Sequence, residues 1–63
     1  MYTMNIQQGS SVVSFTGSDL DSMLAIIDTL KETRVPLNTW IVVHDNAEQK
    51  TVNTTFIPVR QLP

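Results

Sequence analysis

The residues that could act in nucleophilic catalysis are few in this sequence and are not arranged for it. A serine or threonine nucleophile needs a neighbouring base, which is in turn oriented by an acid. His44 is the only histidine, and its neighbour Asp45 would point to the opposite face of an extended strand. The serines fit turns, strand surfaces or a helix cap. We therefore predict no catalytic residues and a protein that is not an enzyme.

Metal and cofactor sites find no better support. The chain has no cysteine and one histidine, whereas a structural zinc site needs about four such ligands. Gly9 and Gly17 are isolated, so no glycine-rich phosphate loop exists. Residues 16–18 could offer backbone N–H groups to an anion at a helix start, but Asp19 and Asp21 would repel it. We predict a structural cap there, and neither metal nor cofactor.

Composition limits the classes of partner. The net charge is −2, and the four basic residues (Lys31, Arg34, Lys50 and Arg60) are scattered rather than clustered. Nucleic-acid binding is therefore not expected, because a basic surface supplies most of its affinity. No apolar run approaches the roughly 20 residues of a membrane span. The N-terminus lacks the pattern of a signal peptide, so we expect a cytoplasmic protein without membrane contact.

The length predicts one domain over residues 1–63. A domain of this size buries only about 60% of the surface of its unfolded chain, so its stability is marginal. Disulfides cannot reinforce it, because cysteine is absent. Self-association is another route to stability, and we expect a homodimer or a larger homo-oligomer.

The first half of the chain predicts a hairpin followed by a helix. Two alternating segments, 2–8 and 11–15, flank Gly9-Ser10, which suits a type II′ turn with Gln8 opposite Ser11. An amphipathic helix over 19–33 follows, with Ser18 as its N-cap and Val35-Pro36 as its stop. Its apolar stripe comprises Leu20, Met23, Leu24, Ile27 and Leu30, with Ile26 at the margin.

The second half predicts another hairpin, with strands over 39–45 and 51–59. A four-residue loop over 46–49 pairs Val43 with Val52 and Ile41 with Thr54, and it places Phe56 on the same face. The result is an α+β domain of order ββαββ, a four-stranded, mainly antiparallel sheet with one helix on one face. Strand order 2-1-3-4 makes the sheet all antiparallel, and order 1-2-3-4 with a parallel centre is the alternative.

One helix leaves the other face of the sheet uncovered. On that face we predict Trp40, Val42, His44 and Ile57, a set that is too apolar for a freely solvated surface. These four residues are the predicted surface for self-association or for a partner protein. The alternative is an inverted face assignment, in which Trp40 belongs to the core, because a shift of one residue exchanges the two faces.

Two comparisons of pattern bear on function. Small tautomerases have a similar length, but that family carries proline after the initiator methionine, where this chain has Tyr2. In size and pattern the chain resembles the very small, serine- and threonine-containing proteins of phages and mobile elements. That resemblance implies a protein that binds and blocks a host factor, in the host cytoplasm if a phage encodes it.

Two other hypotheses remain at this level. An oligomer could sequester a small ligand such as a nucleotide signal, with contacts from Arg34, Lys50 and Arg60 and with Tyr2 or Trp40 stacking on a base. An enzyme completed across an oligomer interface, using His44, is the third. The hypothesis we favour is a non-enzymatic, homo-oligomeric protein that binds and blocks a partner protein.

Overall fold

The computed structural model describes residues 1–32 and 37–59. Its elements are β1 (Tyr2–Gln8), β2 (Ser11–Gly17), α1 (Leu20–Glu32), β3 (Thr39–Asp45) and β4 (Lys50–Ile57). The strands form one antiparallel sheet of order β2-β1-β3-β4, and the helix packs on one face. The predicted α+β class and ββαββ order are confirmed, with the all-antiparallel strand order.

The first hairpin forms in the predicted register. Gln8 lies opposite Ser11, Ile6 opposite Val13 and Met4 opposite Phe15. Gly9 has φ +59°, whereas Ser10 is not among the residues of positive φ. A positive φ at the first turn position only is the signature of type II′, and glycine adopts it without steric cost. The turn therefore fixes the pairing of β1 with β2.

The helix is capped one residue later than predicted. Asp19, rather than Ser18, is the N-cap, because its Oδ1 accepts hydrogen bonds from the N–H groups of Asp21 (3.0 Å) and Ser22 (3.3 Å). The Ser22 hydroxyl donates to Oδ2 of the same carboxylate (2.8 Å). These bonds satisfy N–H groups that have no partner within the helix. The predicted stop at Val35-Pro36 lies outside the described residues.

The Asp19 cap predicts a measurable response to acid. Hydrogen bonds from the Ser22 hydroxyl and from backbone N–H groups hold the pKa of Asp19 below its ordinary value of 3.8. The unfolded chain therefore binds this proton more readily, so the stabilisation is complete above pH 3.8 and is lost as the pH falls through the folded-state pKa. Urea unfolding of the wild type and of Asp19→Asn, at pH values above and below 3.8, measures this difference.

Asparagine keeps a neutral cap at every pH, so Asp19→Asn should lose less stability in acid than the wild type does. Asp19→Ala is the control that removes the cap, and it should be destabilised at both pH values. Equal acid sensitivity of the wild type and Asp19→Asn would show that the carboxylate is not responsible.

The second hairpin has its predicted loop over 46–49, with Asp45 opposite Lys50, but beyond the first two pairs it departs from the predicted register by one residue. Thr39 pairs with Ile57, Ile41 with Thr55 and Val43 with Asn53, and a β-bulge lies at Val43/His44. The predicted pairs Val43–Val52 and Ile41–Thr54 are therefore wrong. The bulge inserts an extra residue into one strand, so the faces of β4 exchange relative to an unbroken ladder.

The core lies between α1 and the central strands. Its buried side chains are Met4, Met23, Ile27, Ile41, Val43 and Ile57, and partly buried Tyr2, Ile6, Leu20, Leu24 and Leu30 pack against them. The predicted helical stripe is thus confirmed. Val13 and Phe15 share this face of the sheet, but about half of each side chain is exposed. The helix therefore covers the centre and the β4 side of the sheet, and it leaves β2 uncovered.

Candidate interaction surface

The face of the sheet opposite the helix, here called the open face, follows from the strand register. Directly opposed residues of antiparallel strands share a face, and successive residues alternate. Three rows across the sheet result, each written in the order β2, β1, β3, β4. They are Val12, Gln7, Trp40 and Phe56; Ser14, Asn5, Val42 and Thr54; and Thr16, Thr3, His44 and Thr51.

An aromatic pair dominates the open face. Trp40 and Phe56 lie opposite each other on β3 and β4, with ring centroids 4.4 Å apart and ring planes inclined by 41°. About half of the Trp40 side chain is exposed, and Phe56 is exposed to a similar extent. The inverted assignment, in which Trp40 belongs to the core, is therefore excluded. Tilted rings at this separation attract each other beyond their apolar burial, so the pair is a defined structural feature.

Val42 and His44 lie on the open face, as predicted, and both are partly buried. His44 is opposite Thr3 on one side and Thr51 on the other. Asp45 is on the other face, where its Oδ1 accepts hydrogen bonds from the N–H groups of Ala47 and Glu48 (2.9 and 3.2 Å). This carboxylate thus stabilises the β3–β4 turn rather than orienting the imidazole.

Hydroxyl and amide groups occupy most of the remaining positions of the open face. The Ser14 hydroxyl donates to Asn5 Oδ1 (2.5 Å), and the Asn46 amide donates to Thr3 Oγ1 (2.9 Å). The three rows contain no aspartate, glutamate, lysine or arginine. Aromatic enrichment with depletion of charge is the composition that distinguishes the centre of a protein interface.

Ile57 does not belong to this surface. Its side chain is 2% exposed and packs in the core, because the register places it opposite Thr39 on the helix side. Phe56, which was predicted on the helix side, takes its place on the open face. The sequence contained one signal for the position of Phe56: aromatic residues pair favourably across strands, and this preference favours Phe56 opposite Trp40.

The residues predicted to contact a small ligand are not brought together in the described part of the chain. Tyr2 is on the helix side of the sheet, opposite Asp45, whereas Trp40 is on the open face. The Lys50 ammonium is 2.6 Å from Glu48 Oε2, in a pair that is largely exposed to solvent. Arg34 and Arg60 lie outside the described residues, so the proposed anion contacts stay predictions.

Residues 1–32 and 37–59 contain no group of three or more side chains that could hold a metal ion. No pocket is found in the structure they form. No helix within these ranges combines the length and the apolar character needed to cross a bilayer. Within these ranges, the exposed Trp40–Phe56 pair is therefore the candidate site.

Comparison of the chain with protein-family models, with curated proteins and with solved structures gave no match.

Proposed function

We propose that this protein is a non-enzymatic binding protein that acts by occupying the surface of a partner protein with its open face. The observation that carries the proposal is the Trp40–Phe56 pair, which is exposed on a sheet face that has no charged side chain in its three rows. Contiguous apolar surface of this kind marks an interaction site more often than it marks ordinary solvated surface.

The pair has the properties of an interface anchor. Trp40 offers a large apolar area, and its ring is held against Phe56, so little conformational entropy is lost when a partner covers it. The other hydroxyl and amide groups of the open face can exchange hydrogen bonds with water for hydrogen bonds with a partner. Trp40 is therefore the residue whose removal should weaken binding most.

Blocking a partner needs only surface complementarity, which a domain of 63 residues can provide. An uncharged sheet surface supplies contact area without a pocket or a cofactor. This mode of action agrees with the resemblance in size and pattern to the small proteins of phages and mobile elements.

The test is a quantitative affinity purification with the wild type, Trp40→Thr and Ile26→Ala as baits. Threonine favours the strand, and alanine favours the helix, so both variants should fold, which circular dichroism would check. Ile26 is the matched control, because it is an exposed apolar residue on the helix, away from the open face. A partner identified in this way is then titrated calorimetrically against all three proteins.

We expect a partner that Ile26→Ala retains at the wild-type level and that Trp40→Thr binds at least 10-fold more weakly, as is typical for loss of an anchor tryptophan. A partner that binds all three baits equally would refute the open face as the binding surface. An equal loss of partner binding in Trp40→Thr and Ile26→Ala would refute it as well.

A further inference from the structure

In the part of the chain that the structure describes, the outer edge of β2 is open and lacks the features that normally prevent strands from pairing with another chain. Within residues 1–32 and 37–59, β2 pairs with β1 alone. Its sequence, Ser11–Gly17, has no charged residue and no proline, and its register with β1 is regular. Val12, Val13 and Phe15 are each about half exposed or more. Unpaired N–H and C=O groups along such an edge are a template for another strand.

The opposite edge of the sheet differs in charge, in proline and in the regularity of its register. β4 begins at the charged Lys50, is followed directly by Pro58 and meets β3 through a β-bulge. Charge, proline and bulges are the usual means by which proteins protect an edge strand. One edge of this sheet is therefore protected, and the other is available.

The type II′ turn determines which backbone groups of β2 are available. A two-residue turn is closed by a hydrogen bond between its flanking residues, so Gln8 and Ser11 form a hydrogen-bonded pair. Hydrogen-bonded and non-hydrogen-bonded pairs alternate along the ladder. Ser11, Val13 and Phe15 therefore direct their backbone N–H and C=O groups towards β1. Those of Val12, Ser14 and Thr16 point away from the sheet.

We propose that β2 pairs antiparallel with β2 of a second copy of this chain, in a register centred on Ser14. Ser14 then lies opposite Ser14 of the other copy, and Val12 lies opposite Thr16. These are the residues whose backbone groups point outward, so about six inter-chain hydrogen bonds form without disturbing the β1–β2 ladder. The two four-stranded sheets become one continuous eight-stranded sheet.

The side chains favour the same register. On the helix side, Val13 of each copy lies opposite Phe15 of the other, in non-hydrogen-bonded pairs where side chains are closest. Both residues are half exposed in the single chain, and pairing would cover them with apolar partners. On the open face, Ser14 meets Ser14 and Val12 meets Thr16. No like charges are opposed, because β2 carries none.

This arrangement also joins the two open faces. The two-fold axis of such a dimer is perpendicular to the sheet, so both helices lie on one side and both Trp40–Phe56 pairs on the other. The dimer would present two copies of the same aromatic pair on one surface. Dimerisation is tested separately from partner binding, because Trp40 lies on β3 and β2 lies at the edge.

Two experiments test the proposal: sedimentation equilibrium of the wild type and two lysine variants over a wide concentration range, and disulfide cross-linking of three single-cysteine variants. Wild type should dimerise, and Ser14→Lys should weaken dimerisation at least 10-fold, because two lysines would then be opposed at the axis. Thr54→Lys is the matched control on the exposed surface of the protected edge, and it should dimerise like the wild type.

The native chain has no cysteine, so the engineered thiols report on proximity without interference. Ser14→Cys should form an inter-chain disulfide rapidly under mild oxidation, since the two Cα atoms would be about 5.5 Å apart. Val12→Cys should not, because its two copies would be about 14 Å apart along the strands. Thr54→Cys should not either.

A wild type that stays monomeric at every concentration would overturn the proposal, and so would a dimer that Ser14→Lys leaves intact. If Ser14→Lys does not fold, the cysteine variants decide. Cross-linking of Ser14→Cys no faster than that of Val12→Cys and Thr54→Cys would then overturn the register.

Discussion

Replacing Ile41 with aspartate is expected to leave the chain unfolded in water. Ile41 is fully buried at the centre of β3, where its strand neighbours are Ile6 and Thr55. Loss of a buried isoleucine side chain costs about 2–5 kcal/mol, and an unpaired buried carboxylate adds several more. At about 0.05–0.15 kcal/mol per residue, a 63-residue domain has roughly 3–9 kcal/mol in total. The substitution therefore removes most or all of the stability.

Far-ultraviolet circular dichroism and urea titration measure the effect. Thr54→Asp is the control, since it introduces the same side chain at an exposed position of the same sheet. It should cost no more than about 1 kcal/mol, the range of strand propensities. A cooperative unfolding transition of Ile41→Asp near that of the wild type would contradict the position of Ile41 in the core.

Ile57→Ala should destabilise the protein by about 2–5 kcal/mol. Phe56→Ala should destabilise it less, because it removes a half-exposed side chain and an aromatic pair contribution of about 1 kcal/mol. Ile57 is buried in the core, and Phe56 is exposed against Trp40. The difference arises from the bulged register of β3 with β4. A β3–β4 ladder without the bulge would make the loss of stability larger for Phe56→Ala than for Ile57→Ala, because it would place Phe56 under the helix.

The two alanine variants serve as controls for each other, because they are adjacent on one strand. Urea midpoints with unchanged denaturant dependence give the two free energies of unfolding. Tryptophan fluorescence adds an independent readout, since only Phe56→Ala should alter the surroundings of Trp40 directly. A larger loss for Phe56→Ala than for Ile57→Ala would refute the register.

The proposed function and the proposed β2 dimer use different parts of the same sheet. The open face needs exposed aromatic side chains, and a marginally stable domain tolerates them because Met4, Ile41, Val43 and Ile57 are covered by α1 on the other side. The β2 edge needs unpaired backbone groups, which β1 supports as a regular ladder. One sheet thus offers two separate surfaces, one through side chains and one through its backbone.

The hairpin of β1 with β2 and the helix could be predicted from the sequence, because turn residues and apolar periodicity are local signals. The Gly9-Ser10 turn specifies a two-residue hairpin, and turn chemistry agrees with the apolar pattern of β1 and β2. The 3.6-residue period of α1 identified its buried stripe, and only the cap was displaced, from Ser18 to Asp19. Alternation along β3 placed Ile41 and Trp40 on opposite faces, and the exposure of Trp40 in the folded chain showed that Ile41 is the one in the core.

The register of β4 and the choice of strands that α1 covers depend on tertiary packing, which the sequence pattern does not specify. Phe56 and Ile57 are adjacent and both apolar, so alternation cannot say which faces the core, and the bulge at Val43/His44 reverses the answer. Likewise, Val13 and Phe15 have the pattern of core residues, yet α1 packs over the other strands and leaves them half exposed. Along a regular ladder, the pattern specifies which face a side chain occupies, but tertiary packing specifies whether another element covers it.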